Sequence, residues 1–149
     1  MSISLRRFCV GLLAVGMLRW TSAEAAPSPH DICSDTHRWR QDQQTQRCLA
    51  DSPTTASMLK CVNDEYVQLD AELTGLYSDW VHTLPHGQRR VFQAAQREWV
   101  RYRDAQFLAI DALHDQLDGT MYLPVRVMQR SSVLKGRLLD LCDLVRISN

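Results

Sequence analysis

The 149-residue sequence has no excess of charge of either sign: 17 Lys and Arg balance 17 Asp and Glu. This excludes the polycation expected of a nucleic-acid coat and the strongly acidic chain of a charge decoy. Beyond Leu18 there is no apolar run of the roughly 20 residues that a membrane helix needs, so no membrane insertion is expected of the mature chain. No Gly-rich turn is placed to cradle a phosphate, and there is no Gly-x-Ser-x-Gly nucleophile elbow. No cysteine has a histidine partner suited to nucleophilic catalysis. No strand alternation, internal repeat or low-complexity segment occurs. Paired carboxylates (Asp64 with Glu65, Asp111 with Asp115) have the spacing of ordinary solvated helix faces.

Histidine adds little. His82 and His86 have helical ligand spacing, but Pro85 breaks the helix between them. Cys33, His37, Cys48 and Cys61 invite a zinc reading, yet their spacings match no standard zinc module. No metal, cofactor or catalytic residue is expected, and the chain is read as non-catalytic.

What is present begins with an export signal. Arg6 and Arg7 precede a short apolar run from Phe8 to Leu18, and Ala23 and Ala25 have the spacing a signal peptidase accepts. Residues 1–25 therefore read as a secretory signal peptide, cleaved after Ala25, with Cys9 leaving in it. A single domain over 26–149 remains, periplasmic or secreted. Removing Arg6, Arg7, Arg19 and Glu24 leaves 14 basic and 16 acidic residues. The four remaining cysteines, Cys33, Cys48, Cys61 and Cys142, read as two disulfides in an oxidising compartment. Four cysteines allow three pairings.

The fold class expected is all-α: an antiparallel bundle of three long helices with a short N-terminal helical segment, disulfide-stapled. The polar stretch from Asp31 to Leu49 is anchored by Cys33, Trp39 and Cys48. Ser52 as N-cap and Pro53 at the first position open a helix to about Thr83. Residues 84–87 form a turn, a second helix runs from about Gln88 to Leu117, and Gly119 terminates it. A third covers the segment from Thr120 to Ile147, with Val127, Leu134, Leu138, Leu141 and Val145 as its stripe. Gly136 weakens it by about 1 kcal/mol relative to Ala.

Two stripes carry polar residues where apolar ones are expected. Met58, Val62, Tyr66, Asp70, Leu73, Tyr77, Trp80 and Leu84 follow at helical steps, as do Phe92, Gln96, Trp99, Arg103, Gln106, Ile110, Leu113 and Leu117. Steps of three and four place each set on one face. An inward carboxylate and guanidinium are tolerable when paired. Asp70 and Arg103 are therefore expected to meet across the two helices and fix their register; the other reading is an exposed recognition pair. The basic run over 88–103 mixes arginines with aromatics, as single-strand binders do. Glu98 and Asp104 lie within reach of Arg101 on the same helix, and export removes the chain from nucleic acid, so no nucleic-acid partner is expected.

Cys48, Cys61, Tyr66, Asp70, Leu73 and Tyr77, followed by Gln96, Trp99, Arg103 and Asp104, form a two-part signature. Together they resemble the lysozyme-inhibitor LprI-like N-terminal domain family of small exported bacterial proteins, over roughly Cys48 to Leu141. That family usually has one Cys shortly after the Arg-Asp pair and another early in the last helix. This chain lacks both and has Cys33 and Cys142 instead. The resemblance thus implies Cys48–Cys61 and Cys33–Cys142, with the other pairings open. It also implies a binding protein that inhibits lysozyme or a related peptidoglycan hydrolase, its partner a lysozyme-like muramidase. The alternatives are an immunity protein against a cell-wall effector delivered to the periplasm, or an envelope structural module. An inhibitor must occupy the two catalytic carboxylates of such an enzyme, and a loop is the natural tool. The turn at 84–87, with His86 and Arg89, and the loop from Asp115 to Tyr122 are the candidates.

Overall fold

Ser34 and Thr54 open two of the helices. Each holds its side-chain oxygen against the backbone N–H three residues on, that of His37 at 3.1 Å and that of Ser57 at 3.1 Å. Thr54 and Ser57 complete a reciprocal capping box. The helix thus begins at Thr55, later than Ser52 and Pro53 suggested. Ser52 is instead buried, donating to the Cys48 carbonyl at 2.7 Å beside the Cys61 sulfur.

The computed structural model describes residues 28–148. The expected signal peptide, residues 1–25, lies outside the described residues. Five helices follow in order: α1 Pro29–Ile32, α2 Asp35–Ala50, α3 Thr55–Thr83, α4 His86–His114 and α5 Tyr122–Ser148. Among the described residues there is no strand. The long helices run up, down and up. Trp80 near the end of α3 donates to Ser148 at the end of α5 (2.9 Å), so these two are parallel. Phe92 at the start of α4 packs edge-on to the same indole at 4.7 Å, so α4 is antiparallel to both.

The core lies between α3 and α5, with α1 at one end. Leu69, Leu73, Leu76 and Trp80 of α3 pack into one buried cluster with Leu134, Leu138 and Leu141 of α5. Burying each of these side chains stabilises the fold by about 1.5–3 kcal/mol relative to exposure. α3 packs most extensively on α5, and α4 leans more on α5 than on α3. No residue of α2 or of α4 is buried.

α2 is accordingly held by bonds of other kinds. Disulfides join Cys48 to Cys61 and Cys33 to Cys142, the two pairings that the resemblance implied. Glu72 of α3, only 8% exposed, accepts from His37, Gln41 and Gln68 through one oxygen. Lys135 of α5 reaches Asp42 at 2.8 Å and Glu65 at 2.7 Å, joining three helices. Burial opposes its charge, but the two carboxylates outweigh it and raise the ammonium above its ordinary value. Trp39, expected as an anchor, is 61% exposed instead. The covalent and polar ties leave it no hydrophobic task.

Candidate functional site

Of the family-signature residues, Tyr66, Tyr77, Gln96, Trp99, Arg103 and Asp104 lie along the seam where α4 meets its neighbours, while Leu73 belongs to the α3–α5 core. The arrangement is not the one the stripes suggested. The buried face of α3 passes through Leu69, Leu73 and Leu76; Asp70 lies one residue off it, half-buried. The expected Asp70–Arg103 ion pair does not form. Arg103 is held by the next residue instead, its Nε and Nη2 donating to Asp104 Oδ1 at 2.9 and 2.7 Å. Leu113, placed in the inward stripe of α4, is 71% exposed, because steps of three and four had carried that stripe round to the solvent side.

What joins α4 to α5 is a ladder of alternating guanidinium and aromatic groups. Arg137 lies 5.5 Å from the Trp99 ring centre, and Arg103 lies 5.6 Å from the same ring. Arg103 is also 5.9 Å from Phe107, whose ring has Arg130 at 5.3 Å. Each contact of this kind contributes about 0.5–1 kcal/mol where exposed and more where dry. The ends are tied by polar bonds: Arg137 donates to Gln96 at 2.8 Å, and Arg130 forms an ion pair with Asp111. Gln96, Trp99, Arg103 and Asp104 thus serve one purpose: two of them carry the ladder and two hold its arginines. Arg130 and Arg137 were missed in the sequence. Their spacing of seven, two helical turns, was the available signal.

Tyr66 and Tyr77 mark the α3 side of this seam. Tyr66 packs against Phe107 at 6.2 Å. Burial pushes its hydroxyl above the ordinary value of 10.0; Asp70 adds to the effect, while Arg103 and Arg130 oppose it. Burial does the same at Tyr77, against Arg137 and Arg97. Arg137 is the complement: loss of solvent lowers its affinity for the proton, partly offset by Asp140 and Tyr77. Beside Tyr77 a groove of about 630 Å³ opens between α3 and α4, lined by Gln93, Gln96, Arg97, Val100 and Arg101. Arg101 is committed to Glu98 at 2.6 Å.

The two proposed contact loops differ sharply. The turn at 84–87 is not a projecting loop: α3 ends at Thr83 and α4 begins at His86. Leu84 is buried, and Arg89 Nη2 donates to the carbonyls of His82 (2.8 Å) and Leu84 (3.0 Å). Arg89 therefore locks the corner, satisfying carbonyls left open at the end of α3. His82 and His86 are exposed on that corner. At the opposite end, residues 115–121 are all exposed and do project, with Gly119 at φ 102° making the turn. Leu117 and Met121 are 44% and 67% exposed there.

Among the described residues, no group of three or more His, Cys, Asp or Glu side chains is placed to hold a metal ion. No helix among them is long and apolar enough to cross a membrane. Fold and seam together define a small, disulfide-stapled helical bundle whose signature residues hold helices together and whose corner and loop are its presented features. Residues 38–141 match the model of the lysozyme inhibitor LprI family, and the chain belongs to that family. No curated protein and no solved structure matches it.

Proposed function

We propose that the protein is an exported, non-catalytic inhibitor of a lysozyme-type peptidoglycan hydrolase. Family membership over residues 38–141 carries this reading. Export rests on the signal pattern of residues 1–25 and on the two disulfides, which persist in oxidising compartments. The enzyme's two catalytic carboxylates lie in a cleft, so the blocking element has to be convex and to offer hydrogen-bond donors. The α3–α4 corner offers such donors. His82 and His86 are exposed on it, and Arg89 fixes the two-residue connection beneath them.

The test is a titration of the oxidised chain from residue 26 into c-type lysozyme and several bacterial muramidases, following wall lysis. Stoichiometric inhibition of at least one is expected. A His82→Ala, His86→Ala double variant should then weaken inhibition by about tenfold or more, as loss of a central contact does. Undiminished inhibition by that variant moves the contact away from the corner. No inhibition of any muramidase refutes the function.

A further inference from the structure

The outward face of α4 is unusual for a helix of a small monomer. Val91, Ala95, Tyr102, Ala105, Ala109 and Leu113 recur at steps of four, seven, three, four and four, and all are exposed. Val91, Tyr102 and Leu113 expose 66%, 55% and 71% of their surface. Such spacing gathers them into one stripe along most of the helix. The one charged side chain inside the stripe, Glu98, is already held by Arg101. A continuous apolar stripe of this length marks an interaction surface more often than scattered apolar residues do.

The order of residues along the stripe identifies what covers it. It is nearly palindromic about Tyr102. Reversed upon itself, α4 sets Val91 opposite Leu113, Ala95 opposite Ala109 and Tyr102 opposite Tyr102; the sixth member, Ala105, falls opposite Trp99. The charges beside the stripe have the same symmetry in the complementary sense. Arg90 stands at the N-terminal end of one flank and Asp115 at the C-terminal end of the same flank. In an antiparallel helix pair like flanks face each other, which brings Arg90 of each copy to Asp115 of the other. Arg90 makes no ion pair among the described residues, and Asp115 has only Arg126, at 3.6 Å. A self-complementary patch of this kind generates a closed two-fold dimer.

We infer that α4 is a homodimerisation helix, pairing antiparallel with α4 of a second copy about a two-fold axis near Tyr102. The surface is independent of the inhibitory reading, and the dimer holds whatever the hydrolase. Ladder and stripe occupy adjoining faces of one helix, with Trp99 of the ladder three residues from Tyr102 and four from Ala95.

Sedimentation velocity and light scattering on the oxidised chain from residue 26, which contains every described residue, test this. At a concentration on the order of 100 µM, a pair with a micromolar Kd is almost fully associated, and twice the monomer mass is expected. Tyr102→Glu should yield monomer with an unchanged helical spectrum, and a melting temperature that no longer rises with protein concentration. Arg90→Asp and Asp115→Arg should each raise Kd by about a hundredfold, because the two-fold axis makes either substitution remove two pair contacts worth about tenfold each, and the Arg90→Asp, Asp115→Arg double variant should restore it. A monomer at all concentrations overturns the inference. So does a dimer indifferent to Tyr102→Glu, or one that both charge variants weaken without rescue in combination. A monomer whose Tyr102 becomes protected only when a hydrolase is added assigns the face to that enzyme and overturns it equally.

Discussion

α5 holds its two long neighbours by different means. Against α3 it presents Leu134, Leu138 and Leu141, all between 0% and 3% exposed, in a dry interface. Against α4 it presents Arg130 and Arg137 to aromatic rings, in an interface where no residue of α4 is buried. The first kind of packing derives its strength from area removed from water and tolerates little change of shape. The second derives direction from planar groups and fixed donors, at a desolvation cost visible in the lowered proton affinity of Arg137. A helix attached in the second way keeps its outer side free of structural duty, and α4 carries its exposed apolar stripe on that side.

The contrast makes graded predictions. The largest effect should come from opening the Cys33–Cys142 cross-link, which ties the connection between α1 and α2 to α5 across 109 residues of sequence. In the chain-entropy model such a loop is worth about 4–5 kcal/mol, so Cys33→Ser, Cys142→Ser should lower the chemical-denaturation free energy by that order. Leu134→Ala, at a fully buried site of the dry interface, should cost about 3–5 kcal/mol in the same measurement. Arg137→Met, in the ladder, should stay within about 1 kcal/mol of the parent, because removing a half-buried guanidinium also removes its desolvation cost. A loss equal to that of Leu134→Ala would abolish the distinction between the interfaces. A double-mutant cycle of Trp99→Ala with Arg137→Ala should give a coupling of only about 0.5–1 kcal/mol.

The smallest effect is a titration. Burial favours the neutral phenols of Tyr66 and Tyr77, raising both above 10.0. Their stabilising contribution is therefore complete below the unfolded value and is lost as pH rises through the higher folded one. An ultraviolet absorbance titration should show a late phenolate step, smaller in Tyr66→Phe and in Tyr77→Phe. Equal curves for parent and variants would mean that the seam is wetter than described.

Much of the fold was legible in the sequence because helix lengths, breakers and cysteines act locally. Pro85 and Gly119 separate the long helices, and Leu134, Leu138 and Leu141 lie where the stripe put them. The phase of α3 was not legible, for a physical reason. α3 has two partners, so Leu69 and Leu73 face α5 while Tyr66 faces the ring of Phe107 on α4. A single stripe through Tyr66, Asp70 and Tyr77 averages these two directions, and it led to the pairing of Asp70 with Arg103. Arg103 was correctly placed on an inward face, but its counterparts are rings as well as a carboxylate, and periodicity does not distinguish these. At the candidate site, His86 could be placed on a corner from the sequence. The role of Arg89 could not, because carbonyls left open at the end of a helix have no residue signature.

The Cys33–Cys142 cross-link also makes the chain a ring. Nearly all of α2 to α5 lies within the closed circuit, and the only long exposed segment on that circuit is 115–121. A protease that cuts there opens the ring without releasing a fragment, since the pieces on either side of the nick remain joined at residues 33 and 142. In a compartment where secreted proteases attack neighbouring proteins, such a molecule takes a first cut as a change of topology and not of composition. Its integrity is lost only at a second cut or on reduction.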